Sequence, residues 1–136
     1  MTTIRLSAFS FVVSLCSASL GAPAEAADLS GAWTTDASVC GKVFVKSGAR
    51  VSFAKDAELS GSGFIIEGRE IRGPAATCRI KTSKEDGAVT HMIAACATDI
   101  MLSDVQLSVK FIDANSIARL FPGMQDMSVN YHRCAM

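Results

Sequence analysis

Residues 105–111 read Val105-Gln106-Leu107-Ser108-Val109-Lys110-Phe111. Val105, Leu107, Val109 and Phe111 fall on one side of an extended chain, and Gln106, Ser108 and Lys110 on the other. Successive side chains of a strand point to opposite faces, so this period of two predicts a half-buried β-strand. The β-branched and aromatic content agrees. Arg50-Val51-Ser52-Phe53 and Cys78-Arg79-Ile80-Lys81-Thr82 follow the same rule. So does Met127-Ser128-Val129-Asn130-Tyr131-His132-Arg133-Cys134, with Met127, Val129 and Tyr131 expected inward. Cys134 then shares the polar face with His132, which puts its disulfide outside the core or at a rim. Lys42–Val45, Gly63–Glu67 and Thr90–Cys96 are apolar on both faces and are expected as strands covered on both sides.

Turn chemistry separates these runs. Ser47-Gly48, Ser60-Gly61-Ser62-Gly63, Glu67-Gly68-Arg69-Glu70, Ser83-Lys84-Glu85-Asp86-Gly87, Asp113-Ala114-Asn115-Ser116 and Pro122-Gly123 each stand between apolar segments. The best helix candidate is short, around Ala97 to Ser103. About eight to ten short strands in succession suit an all-β fold: a small antiparallel up-and-down barrel, or barrel-like meander, of about eight strands.

The first residues read as an address. Arg5 and the amino terminus supply positive charge, Leu6 to Leu20 is apolar, and Ala24 and Ala26 provide the small side chains of a cleavage site. Residues 1–26 are therefore expected as a cleaved signal peptide and residues 27–136 as a single barrel-like domain. Cys16 raises lipid attachment as an alternative, but Leu15 is not the small residue that attachment favours. The apolar run is too short for a stable membrane span, and no later stretch approaches one. Export points to the periplasm or beyond.

Removal of residues 1–26 leaves Cys40, Cys78, Cys96 and Cys134. An even number in an exported chain reads as two disulfides, with three possible connectivities. Cys40–Cys134 with Cys78–Cys96 is preferred. The second pair flanks one predicted hairpin, and the first would tie the beginning of the domain to its end. Zinc would call for closely spaced Cys pairs, and thiol redox chemistry for C-x-x-C; neither spacing occurs.

The 136 residues carry 13 Lys+Arg and 13 Asp+Glu, a formal net charge of zero, which argues against a nucleic-acid partner. Hydrophobic residues at 49% exclude a disordered chain.

Gly31-Ala32-Trp33 resembles the G-x-W opening of lipocalin-like barrels, in which the Trp packs across the barrel floor. Trp33 followed by Cys40 also resembles the start of small exported inhibitors of bacterial metalloproteases, which are eight-stranded barrels. Those inhibitors have a short early disulfide loop, whereas the next cysteine here is Cys78. The ending Tyr131-His132-Arg133-Cys134 resembles a group of small exported bacterial proteins that names no activity. The first resemblance implies an enclosed ligand and the second a protein partner.

Catalytic chemistry has few actors. His91 and His132 are the only histidines. Ser62, between Gly61 and Gly63, lacks a nucleophile-elbow frame. Glu67 with Glu70, and Asp56 with Glu58, are ordinary loop pairs rather than a catalytic dyad. Met92, Met101, Met124, Met127 and Met136 are scattered, short of the clustered thioethers that bind copper. No catalytic residue, metal or cofactor is assigned. Arg119 stands apart, because alternation puts it inward between Ile117 and Phe121. A charge there needs a carboxylate such as Asp113 or Asp126, or an anionic ligand. The sequence therefore predicts a non-enzymatic periplasmic or secreted binding module. In one version Trp33, Phe53, Phe64, Val109, Arg119 and Phe121 surround a small apolar ligand. In the other the barrel is filled and its loops bind an exported protein, as a protease inhibitor does.

Overall fold

The computed structural model describes residues 28–124 and 126–136; the expected signal peptide lies outside the described residues. Alternating segments become strands wherever a neighbour can hydrogen-bond them. The order is β1 (Gly31–Thr34), a 3-10 turn (Ala37–Val39), α1 (Cys40–Val43), β2 (Phe44–Ser47), β3 (Arg50–Phe53), α2 (Ala57–Ser60), β4 (Gly63–Glu67) and β5 (Glu70–Arg72). Then follow β6 (Thr77–Asp86), β7 (Val89–Ala97), β8 (Leu102–Asp113), β9 (Ser116–Leu120) and β10 (Ser128–Cys134). Eight strands close an antiparallel barrel, β1-β10-β9-β8-β7-β6-β5-β4, and β2 with β3 form a separate hairpin. Closure comes from β1, which pairs with β4 on one side and β10 on the other, with Ala32 opposite both Ile65 and Cys134.

The barrel has two apolar clusters, one on each side of its wall. Inside are Trp33, Ile66, Ile71, Ile80, Met92, Val109, Ile117 and Tyr131. Outside β1, β4 and β10 are Ala32, Ile65 and Cys134, covered by Val43, Phe44 and Ala57 from the segment between β1 and β4. This flap explains why Gly63–Glu67 is apolar on both faces. Phe64 and Ile66 serve the interior, and Ile65 meets the flap. Cys134 does face outward, as alternation requires, yet it is buried because the flap lies over it. The disulfide Cys40–Cys134 fastens the flap to β10, and Cys78–Cys96 joins β6 to β7 at directly opposed positions.

Several local expectations are corrected. Ala97 to Ser103 is not a helix. Thr98 holds a tight turn instead: its amide donates to the Met101 carbonyl at 2.9 Å, and its hydroxyl accepts from the Met101 amide at 3.1 Å. A side chain that bonds its own backbone in this way competes with helix formation. Residues 83–86 belong to β6, and the chain reverses at Gly87, whose φ is +59°. The first half of Lys42–Val45 is helical, since α1 ends at Val43. Met127 is exposed ahead of β10, while Val129 and Tyr131 do point inward.

Candidate functional site

The alternation that builds the strands also decides what faces the barrel interior. Consecutive connections in an up-and-down barrel lie at alternate ends. The β5–β6, β7–β8 and β9–β10 loops therefore share one end, and the β4–β5, β6–β7 and β8–β9 turns share the other.

The turn end is plugged. Trp33 is wholly buried, and its indole N–H donates to the Leu29 carbonyl at 2.9 Å. The Arg133 guanidinium lies 4.3 Å from the ring centroid. It donates to the carbonyls of Ala114, Asp28 and Ser30, which binds the barrel wall to the segment entering β1. Arg133 was missed in the sequence, although it continues the inward set Val129, Tyr131 and lies opposite Trp33 in the register.

Toward the loop end the interior holds a cavity of about 200 Å³. Phe64, Ile66, Met92, Leu107, Val109 and Ile117 are among the apolar residues of its wall. Gly73 and Ala76 of the β5–β6 connection and the Cys78–Cys96 pair also border it, as do Tyr131 and Arg119. The Tyr131 ring meets Phe64 edge-on at 4.8 Å. Ile66 and Met92 line this cavity and also a more polar recess at the turn end, so they form the partition between the two.

Arg119 is the charged residue of this wall. Its cross-strand neighbours are Val109 on β8 and Val129 on β10. Its guanidinium lies 4.9 Å from the centroid of the Phe121 ring, at the rim. Among the described residues, neither Asp113, Asp126 nor any other carboxylate forms a salt bridge with it. Structural pairing with those two aspartates is thereby corrected.

The other sequence-derived lining residues divide. Phe64 and Val109 are on the wall. Trp33 belongs to the plugged end. Phe53 is part of the outer cluster, 5.4 Å from Phe44, because β3 pairs only with β2 and never enters the barrel. Phe121 follows β9 and carries Arg119 without bordering the cavity.

Around the loop end stand exposed apolar side chains: Ile100 and Met101 on the β7–β8 loop with Leu102 at the start of β8, and Met124 and Met127 on the β9–β10 loop. Ile100 is 96% exposed and Leu102 82%, so they contribute nothing to the core. His91 bonds Ser108 at 2.8 Å on the outer wall, but Ser108 is buried, so its hydroxyl is a hydrogen-bonding partner rather than an accessible nucleophile. Among the described residues no group of three or more His, Cys, Asp or Glu stands close enough to hold a metal ion. No described helix is long and apolar enough to cross a membrane. The two disulfides suit an oxidising, extracytoplasmic setting.

The chain matches no protein-family model, no curated protein and no solved structure.

Proposed function

We propose that this chain is an exported, non-enzymatic binding module that encloses a small apolar ligand in its barrel. The carrying observation is the cavity of about 200 Å³ with its apolar wall. Barrels of eight strands are just wide enough either to be filled by side chains or to hold one small ligand. An apolar cavity of roughly 150 Å³ stays dry and admits benzene, so a void of this size suits an apolar guest of about eight non-hydrogen atoms. The signal-like residues 1–26 and the two disulfides support a periplasmic or secreted location.

The test is intact mass spectrometry of the exported, oxidised protein, first native and then denatured. A native mass exceeding the denatured mass by one small molecule is expected, and solvent extraction would identify that molecule. Equal masses, together with no uptake of small apolar probes by the native protein, would overturn the reading.

The exposed Ile100, Met101, Leu102, Met124 and Met127 favour a second reading, a protein-binding rim of the protease-inhibitor kind. Ile100→Ser with Leu102→Ser separates the two. It abolishes capture of a protein partner in the second reading and leaves ligand uptake unchanged in the first.

A further inference from the structure

We propose that the enclosed ligand is a small monocarboxylate, its apolar tail in the cavity and its carboxylate on Arg119; this rests on reading the cavity as a binding site. Inward positions of β9 alternate with outward ones, so Arg119 follows Ile117 along the interior face. Ile117 is wholly buried, and Arg119 is the next step toward the loop end. Its register partners Val109 and Val129 are apolar and offer no side-chain acceptor. The Phe121 ring centroid lies 4.9 Å from the guanidinium carbon, a cation–π contact that supplies no acceptor oxygen. None of the described carboxylates supplies one.

Arg119 is partly exposed and no described buried side-chain nitrogen lacks a partner, so its donors stay accessible to an incoming acceptor. Its planar fork matches a carboxylate with two parallel hydrogen bonds, stronger than those between neutral groups. The volume sets the rest of the ligand. A tail of about seven carbons fills a space of this size, and a long-chain fatty acid does not fit. One cation on the wall selects one negative charge.

Calorimetric titration of the oxidised protein with octanoate, octan-1-ol and octylamine tests this. The three share one tail and differ in the head. Octanoate is expected to bind at least about tenfold more tightly than octan-1-ol, with octylamine weakest, as a hydrogen bond to a charged group implies. Arg119→Met keeps a stem of similar length and removes the charge. It should erase the preference for octanoate over octan-1-ol. The carboxyl carbon of [1-¹³C]octanoate should titrate at lower pH when bound than when free. Equal binding of octanoate and octan-1-ol by the native protein overturns the carboxylate assignment and leaves the apolar cavity standing. Failure of all three to bind overturns both. The comparison among heads uses the native chain alone, so it holds even if Arg119→Met does not fold.

Discussion

Gly63 has no space for a side chain. A methyl group there would lie 2.6 Å from the Trp33 carbonyl oxygen and 2.8 Å from the Phe44 ring. The carbonyl belongs to a barrel strand and cannot give way, so Gly63→Ala should destabilise by about 1–3 kcal/mol, the range for an overfilled site. Chemical denaturation measures it, and an unchanged midpoint would contradict the packing. At Asp28, the carboxyl is held below its ordinary 3.8 by the Ser30 amide, by the Ser30 side chain and by nearby Arg133. A depressed acid contributes stability above its unfolded value, and that contribution is lost as pH falls through its folded value. Asp28→Asn should therefore lower stability at pH 7 and shrink its decline on acidification below 3.8. Parallel urea melts at the two pH values would show it. Arg119 was legible in the sequence because a charge on an apolar face breaks the alternation. The contact of Phe121 with its guanidinium, and the plug role of Arg133, were not legible, since ring contacts and carbonyl acceptors leave no trace in composition.

Among the elements, the two disulfides differ in what they close. Cys40–Cys134 spans 94 residues and Cys78–Cys96 spans 18. Loop-closure entropy assigns them about 4.7 and about 3 kcal/mol respectively. Replacing both cysteines of the first pair by Ala should cost more in a urea melt. It should also loosen the flap, seen as faster amide exchange in β2 and β3 than in β7 and β8. Equal loss across all strands would mean that the flap is not a separate layer. Most barrel strands were readable because each has one wet face and one dry face. The flap was not readable, since a residue against an outer layer looks the same in sequence as one in the interior. That is why Phe53 was placed inside. Four-residue helices are too short for their periodicity to register, so the second half of α1 reads as strand and α2 as loop. Residues 83–86 continue β6 because β7 hydrogen-bonds them along one edge, although their charged side chains mimic a turn.

At the scale of the whole molecule, the interior is divided between a plugged end and an open one. Trp33 holds the plug, so Trp33→Ala should cost about 3–5 kcal/mol, a large share of the stability of a single small domain. Thermal unfolding checks this, and a loss below about 1 kcal/mol would mean that the plug is dispensable. The barrel as a class was legible from strand count and turn spacing. That β1 would meet β10 was not, because nothing local marks a strand's distant partner; only the preferred pairing of Cys40 with Cys134 pointed that way. The closing seam also dictates a timetable. Beyond residues 1–26, a chain threading out from its amino end presents Cys40 first, and the next thiol to appear is Cys78, which is a wrong partner. Cys96 follows and can claim Cys78 within one hairpin, but Cys40 must wait for the last strand. Until then β1 and β9 are unprotected edges, open to pairing with other chains. Efficient maturation of this small barrel therefore requires either a guardian for Cys40 or an isomerase that undoes its premature bond.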